Sequence, residues 1–100
     1  VSGASYLKHM AEDRRLSILL LLAASQGGAA NEALLQAALP DYGHEASLDQ
    51  VRADLGWLAE QGLVETRDLH GLAVGHILAR GQDAAAGRAT IPGVKRPVRR

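Results

Sequence analysis

The stretch 47–64, SLDQVRADLGWLAEQGLV, constrains this chain most, because both ends of one helix are written into it. Ser47 is placed to accept a hydrogen bond from a free N–H of the first turn. Gln50, three residues on, is placed to bond back, which makes a capping box. Gly62 follows the last periodic residue, where a left-handed C′ position favours glycine. Leu48, Val51, Leu55 and Leu58 recur at the spacing of one buried stripe. Leu63 and Val64 then open a segment of different period. Residues 63–69 read as a strand and His70-Gly71 as a turn. Residues 72–78 read as the return strand, with Leu72, Val74 and His76 on one face.

The rest of the chain is read around that unit. A helix is predicted from about residue 6 to about 24, with Ser5 as its cap. Its first half is polar, and its second, LSILLLLAA, is apolar on all sides. Such a segment needs cover all round. The cover expected here is the other helices plus a second subunit, with Leu16, Leu19, Leu20, Leu21 and Ala85 at a homodimer interface. Asn31 is the expected N-cap of a helix over about 32–39, with Leu34, Leu35, Ala38 and Leu39 facing inward and Pro40 ending it. Residues 80–88 are alanine-rich and read as a short helix, although Gly81 and Gly87 each cost about 1 kcal/mol relative to Ala. Residues 89–100, with two prolines, a glycine and no periodicity, read as an extended or disordered basic tail. Residues 1–5 read as a disordered start. The expected domain is 6–88, mainly α with a β-hairpin, in the order α-α-α-β-β-α.

Composition narrows the function. With no cysteine, disulfides, thiolate metal sites and a cysteine nucleophile are excluded. The longest purely apolar run, 18–24, is far too short to span a membrane, so a cytoplasmic protein is expected. No Gly-x-Ser-x-Gly elbow, phosphate loop or dinucleotide fingerprint is present, so neither an enzyme nor a cofactor is expected. The four histidines lack the spacing of a metal site. His70 and His76 are the pair that a hairpin would bring nearest. Charge is uneven: residues 1–87 carry six basic and eleven acidic side chains, and residues 88–100 carry five basic and none acidic. An acidic body with a basic end lacks the broad positive footprint of a typical nucleic-acid binder, though the end can serve as a basic arm.

Several blocks carry a resemblance: Asp13-Arg14-Arg15-Leu16, Asn31-Glu32 with Leu34-Leu35, Tyr42-Gly43-His44, Asp49-Gln50-Val51-Arg52, Trp57-Leu58 and Gln61-Gly62-Leu63-Val64. They continue through Arg80-Gly81, Ala85-Ala86-Gly87-Arg88 and Pro92-Gly93-Val94-Lys95-Arg96-Pro97. Together they resemble small winged helix-turn-helix proteins of Mu-like phages and prophages, within the ArsR-like superfamily. The resemblance implies a recognition helix over 47–62, a wing made by the hairpin, and a phage-encoded regulator. The cysteine ligands of ArsR metal sensors are absent, so metal sensing does not carry over.

The expected function is therefore sequence-specific binding of duplex DNA by a homodimer. Gln50 and Arg52 would reach base edges, Ala53 would allow close approach, and Ser47 would take a phosphate. Arg67 and His70 on the wing, and Lys95, Arg96, Arg99 and Arg100 in the tail, would follow the phosphate backbone. The alternative is a protein–protein adaptor, in phage assembly or packaging or against a host factor. In that case Trp57, pointing away from the buried stripe, is the anchor.

Overall fold

The computed structural model describes residues 3–98. Among them are four α-helices and a three-stranded antiparallel sheet, so the chain is mainly helical. The elements are α1 (Gly3–Ala24), β1 (Ala29–Asn31), α2 (Glu32–Ala38), α3 (Leu48–Glu60), β2 (Val64–Leu69), β3 (Leu72–Ile77) and α4 (Ala79–Ala86). The sheet order is β1-β3-β2. No helix among the described residues is long and apolar enough to cross a membrane.

The end signals of α3 act as the sequence predicted, except that only half of the capping box forms, with no bond from the Gln50 side chain back to Ser47 among the described residues. Ser47 Oγ accepts from the Gln50 N–H at 3.1 Å. At the other end Gly62 has φ 74°. Leu63 N–H donates to Leu58 O, and Gly62 N–H to Ala59 O, both at 3.0 Å, which is the Schellman pattern. Val51, Leu55 and Leu58 are buried. Asn31 caps α2 by accepting from Leu34 N–H at 2.8 Å. His70 (φ 54°) and Gly71 (φ 85°) make the two-residue turn of the hairpin.

Five expectations are corrected. The first helix begins at Gly3, so residues 3–5 form its first turn; residues 1 and 2 of the expected disordered start lie outside the described residues. Leu34 points outward and is 58% exposed, because its helix buries Glu32 and Leu35 instead. The apolar half of α1 finds its cover within its own chain. Leu16, Ile18, Leu19 and Leu22 are buried in one core with Leu35, Leu55 and Ala85, and Leu20 and Leu21 are half-buried. A second subunit is not needed to cover Leu16, Leu19 or Ala85.

The fourth correction is the tail. Residues 89–98 are irregular but docked: Ile91 and Val94 are buried, and Lys95 N–H donates to Glu12 O at 3.2 Å. The fifth is β1, which pairs with β3 in the register Ala30↔Gly75. Three residues are too few for an alternating pattern to show.

Two glycines set the spacing of the layers. A Cβ on Gly75 of β3 would lie 2.7 Å from Leu55 Cδ2, so a side chain there would have to displace the end of the Leu55 side chain between the sheet and α3. A Cβ on Gly81 of α4 would lie 2.2 Å from the Leu63 carbonyl oxygen. Glycine at 81 costs helix propensity and allows α4 to close on the end of α3.

Candidate nucleic-acid interface

The exposed face of α3 carries Ser47, Asp49, Gln50, Arg52, Ala53 and Glu60. The distal part of the hairpin lies beside it, and a single carboxylate joins the two. Glu32 is fully buried at the start of α2. Its two oxygens accept from Arg52 Nε and Nη2, both at 3.0 Å, and Oε2 also accepts from the backbone N–H of Ala73 in β3. One buried acid thus ties α2, α3 and the hairpin together. These hydrogen bonds, from Arg52 first and Ala73 second, hold the Glu32 carboxyl below the usual carboxylate range against the opposing effect of burial. Arg52 is held more firmly protonated by Glu32, and Asp49 and Asp68 add to the effect.

Arg52 is therefore engaged in an internal ion pair, although its side chain remains 54% exposed. The two carboxylates that act on it, Asp49 and Asp68, leave the surface around it acidic rather than basic. Arg67 and His70 are exposed on the hairpin. Glu65 faces His76 in the register, and His70 stands in the turn, so the hairpin does not bring His70 and His76 together.

Trp57 is half-buried, packed against the core and covered by α1 and the C-terminal segment. The Arg15 guanidinium lies 4.1 Å from its ring centroid, in the range of a cation–π contact. Gly93 covers its edge so closely that a Cβ there would lie 2.6 Å from Trp57 Cζ2, and Arg15 Nη1 donates to Gly93 O at 2.9 Å. The tail and α1 thus take the place expected for a partner protein. Lys95 pairs with Asp13 at 3.4 Å, and Arg96 donates to Thr90 Oγ1 and to Gly87 O. These two cations are held against the body rather than on a free arm. Arg99 and Arg100 lie outside the described residues.

Sequence reasoning missed the buried polar groups. Besides Glu32, Arg14 donates from Nε and Nη2 to Asp54 at 2.5 and 3.2 Å, joining α1 to α3. His44 Nε2 meets Asp13 Oδ2 at 2.6 Å, joining the turn before α3 to α1. Asp54 and Leu58 share a helix face at i, i+4, so a charged residue on the buried side of the stripe was the available signal.

These features describe a small, mainly helical protein whose third helix and hairpin share one exposed surface. No family model matches the chain. It is 50% identical over 88 residues, 88% of its length and 91% of the relative's, to the uncharacterized protein gp26 of Escherichia phage Mu, and it belongs to that protein's family. It is also 42% identical over 60 residues, 60% of its length and 58% of the relative's, to an uncharacterized protein of Haemophilus influenzae.

Proposed function

We propose that the chain is a winged helix-turn-helix protein that binds duplex DNA, with α3 in the major groove and the β2–β3 hairpin as the wing. The observation that carries this reading is the Glu32 link, which sets the exposed face of α3 and the distal hairpin side by side. The element order, with β1 on the far side of β3 from β2, supports it. Gln50 and Ala53 then face base edges, and Ser47, Arg67 and His70 face phosphates. Arg52 contributes its charge from within the ion pair. The role that follows is a phage-encoded transcriptional regulator in the host cytoplasm. A homodimer would read two half-sites, and the part of α1 left for such a contact is the half-buried pair Leu20 and Leu21.

The charge on that same surface favours a second reading, a protein–protein adaptor. Asp49, Glu60 and Asp68 would repel a phosphate backbone and would suit a basic partner.

Titrating a fluorescent duplex with the protein at several salt concentrations separates the two. The DNA reading expects binding at low salt, with log K falling by about 0.9 per phosphate engaged for each decade of salt. It also expects Gln50→Ala to reduce discrimination between sites by about 1–3 kcal/mol for each base that Gln50 reads. A folded chain that ignores duplex DNA at low salt would sink it in favour of the adaptor.

A further inference from the structure

Among the described residues the sheet order leaves one long side of β2 without a neighbouring strand, and residues 65–69 of that strand are all exposed. An edge of this length is a template for another strand. Its hydrogen-bonding phase follows from the turn. Leu69 and Leu72 close a two-residue turn with positive φ at both central positions, so they form a hydrogen-bonded pair, and bonded pairs alternate from there. Leu69, Arg67 and Glu65 therefore bond to β3. Asp68, Thr66 and Val64 turn their N–H and C=O groups to the free side. The opposite strand obeys the same phase: Ala73, across from Asp68, donates its N–H away from β2 to Glu32.

We propose that β2 pairs antiparallel with β2 of a second copy of this chain, about a twofold axis through Thr66. Outward-facing groups must meet outward-facing groups, so the axis has to pass through a residue rather than between two. An axis on Glu65, Arg67 or Asp68 sets that charge against its own copy, which is destabilising. An axis nearer either end loses most of the overlap. The axis on Thr66 alone sets Thr66 against Thr66 and Glu65 against Arg67, the latter twice. The two Glu65–Arg67 pairs fall at non-hydrogen-bonded positions, where facing side chains are closest. Neither residue has an ion-pair partner in its own chain among the described residues. Both line one face of the hairpin with Val74 and His76. The charges that would repel an arbitrary strand thus select a second copy in one register. This interface is separate from the surface on α1; it engages Arg67, which the DNA reading turns to phosphate, and its test is run without DNA.

Pairing through one strand edge buries little area, so the dimer should be weak, with a Kd on the order of micromolar or above. Sedimentation velocity from about 10 to about 500 μM in low salt reads it. The expected result is a concentration-dependent dimer that weakens as salt rises. Arg67→Glu sets Glu against Glu at both pairs, and Glu65→Arg sets Arg against Arg. Each variant alone should raise the Kd about tenfold or more, and an equimolar mixture of the two should restore dimerisation. All these positions are exposed, and circular dichroism checks that each variant is folded. Thr66→Cys, in a chain with no other cysteine, should cross-link under mild oxidation. Facing Cα atoms of a hydrogen-bonded pair lie about 5.5 Å apart, within disulfide reach. A wild-type chain that stays monomeric throughout would overturn the proposal. So would a dimer indifferent to both single variants, or a mixture that associates no better than its components.

Discussion

Arg52 grips both carboxylate oxygens of Glu32, at 3.0 Å each, although the two differ greatly in their access to water. Glu32 is fully buried, while the Arg52 side chain is more than half exposed. The pair is therefore asymmetric. Removing the arginine strands a buried carboxylate, whereas removing the acid leaves a guanidinium that water can solvate. Arg52→Ala is expected to lower the urea midpoint more than Glu32→Gln, which keeps an acceptor for the Ala73 N–H. Equal midpoints, or the reverse order, would contradict this account. The same measurement guards the DNA test, since loss of binding in Arg52→Ala is informative only at conditions where the variant is folded.

The same pair sets a direction for pH. The folded state holds the Glu32 carboxyl below its ordinary range, so it adds stability that is fully present above the unfolded value of about 4.3. That contribution is lost as pH falls through the lower folded value. Urea midpoints measured from neutral pH down into the acid range should fall more steeply for the wild type than for Glu32→Gln. Parallel curves would show that another group dominates acid unfolding.

Gly81 offers a case where propensity and packing point in opposite directions. Alanine there would gain about 1 kcal/mol of helix propensity. Its Cβ would also meet the Leu63 carbonyl oxygen at 2.2 Å and Ile77 Cγ1 at 2.8 Å. Overpacking against backbone costs about 1–3 kcal/mol or more, so Gly81→Ala should destabilise the protein. A variant that melted above the wild type would show that α4 can move away from Leu63.

Docking of the tail predicts that truncation removes more than charge. Ile91 is 6% exposed and belongs to the core, and Ile91→Ala should cost about 2–5 kcal/mol. Deleting residues 89–100 should uncover Trp57 and shift its fluorescence to the red. If the truncated protein kept both its emission and its melting temperature, the docking of residues 89–98 would be wrong. Neutralising Lys95 and Arg96 by glutamine is the cleaner route to the charge contribution of this segment.

Elements that rest on interactions within a few residues were legible in the sequence. Ser47, Asn31 and Gly62 mark helix ends, because a cap bonds to backbone two to five positions away. The His70-Gly71 turn and the Val51, Leu55, Leu58 stripe could be read for the same reason: the turn is local, and the stripe follows the helical repeat. Gly75, a glycine inside a strand, was a readable sign of close approach, but not of what approaches it. The placement of the polar groups came from packing between distant elements. Glu32 and Arg52 stand twenty positions apart, Arg14 and Asp54 forty, and Arg15 and Gly93 seventy-eight. No period or propensity links residues at such separations; they meet because the core places them together. The apolar half of α1 illustrates the same limit. Its periodicity says that it must be covered on every side, and the packing of α1 in the folded chain decides that the chain itself supplies most of the cover.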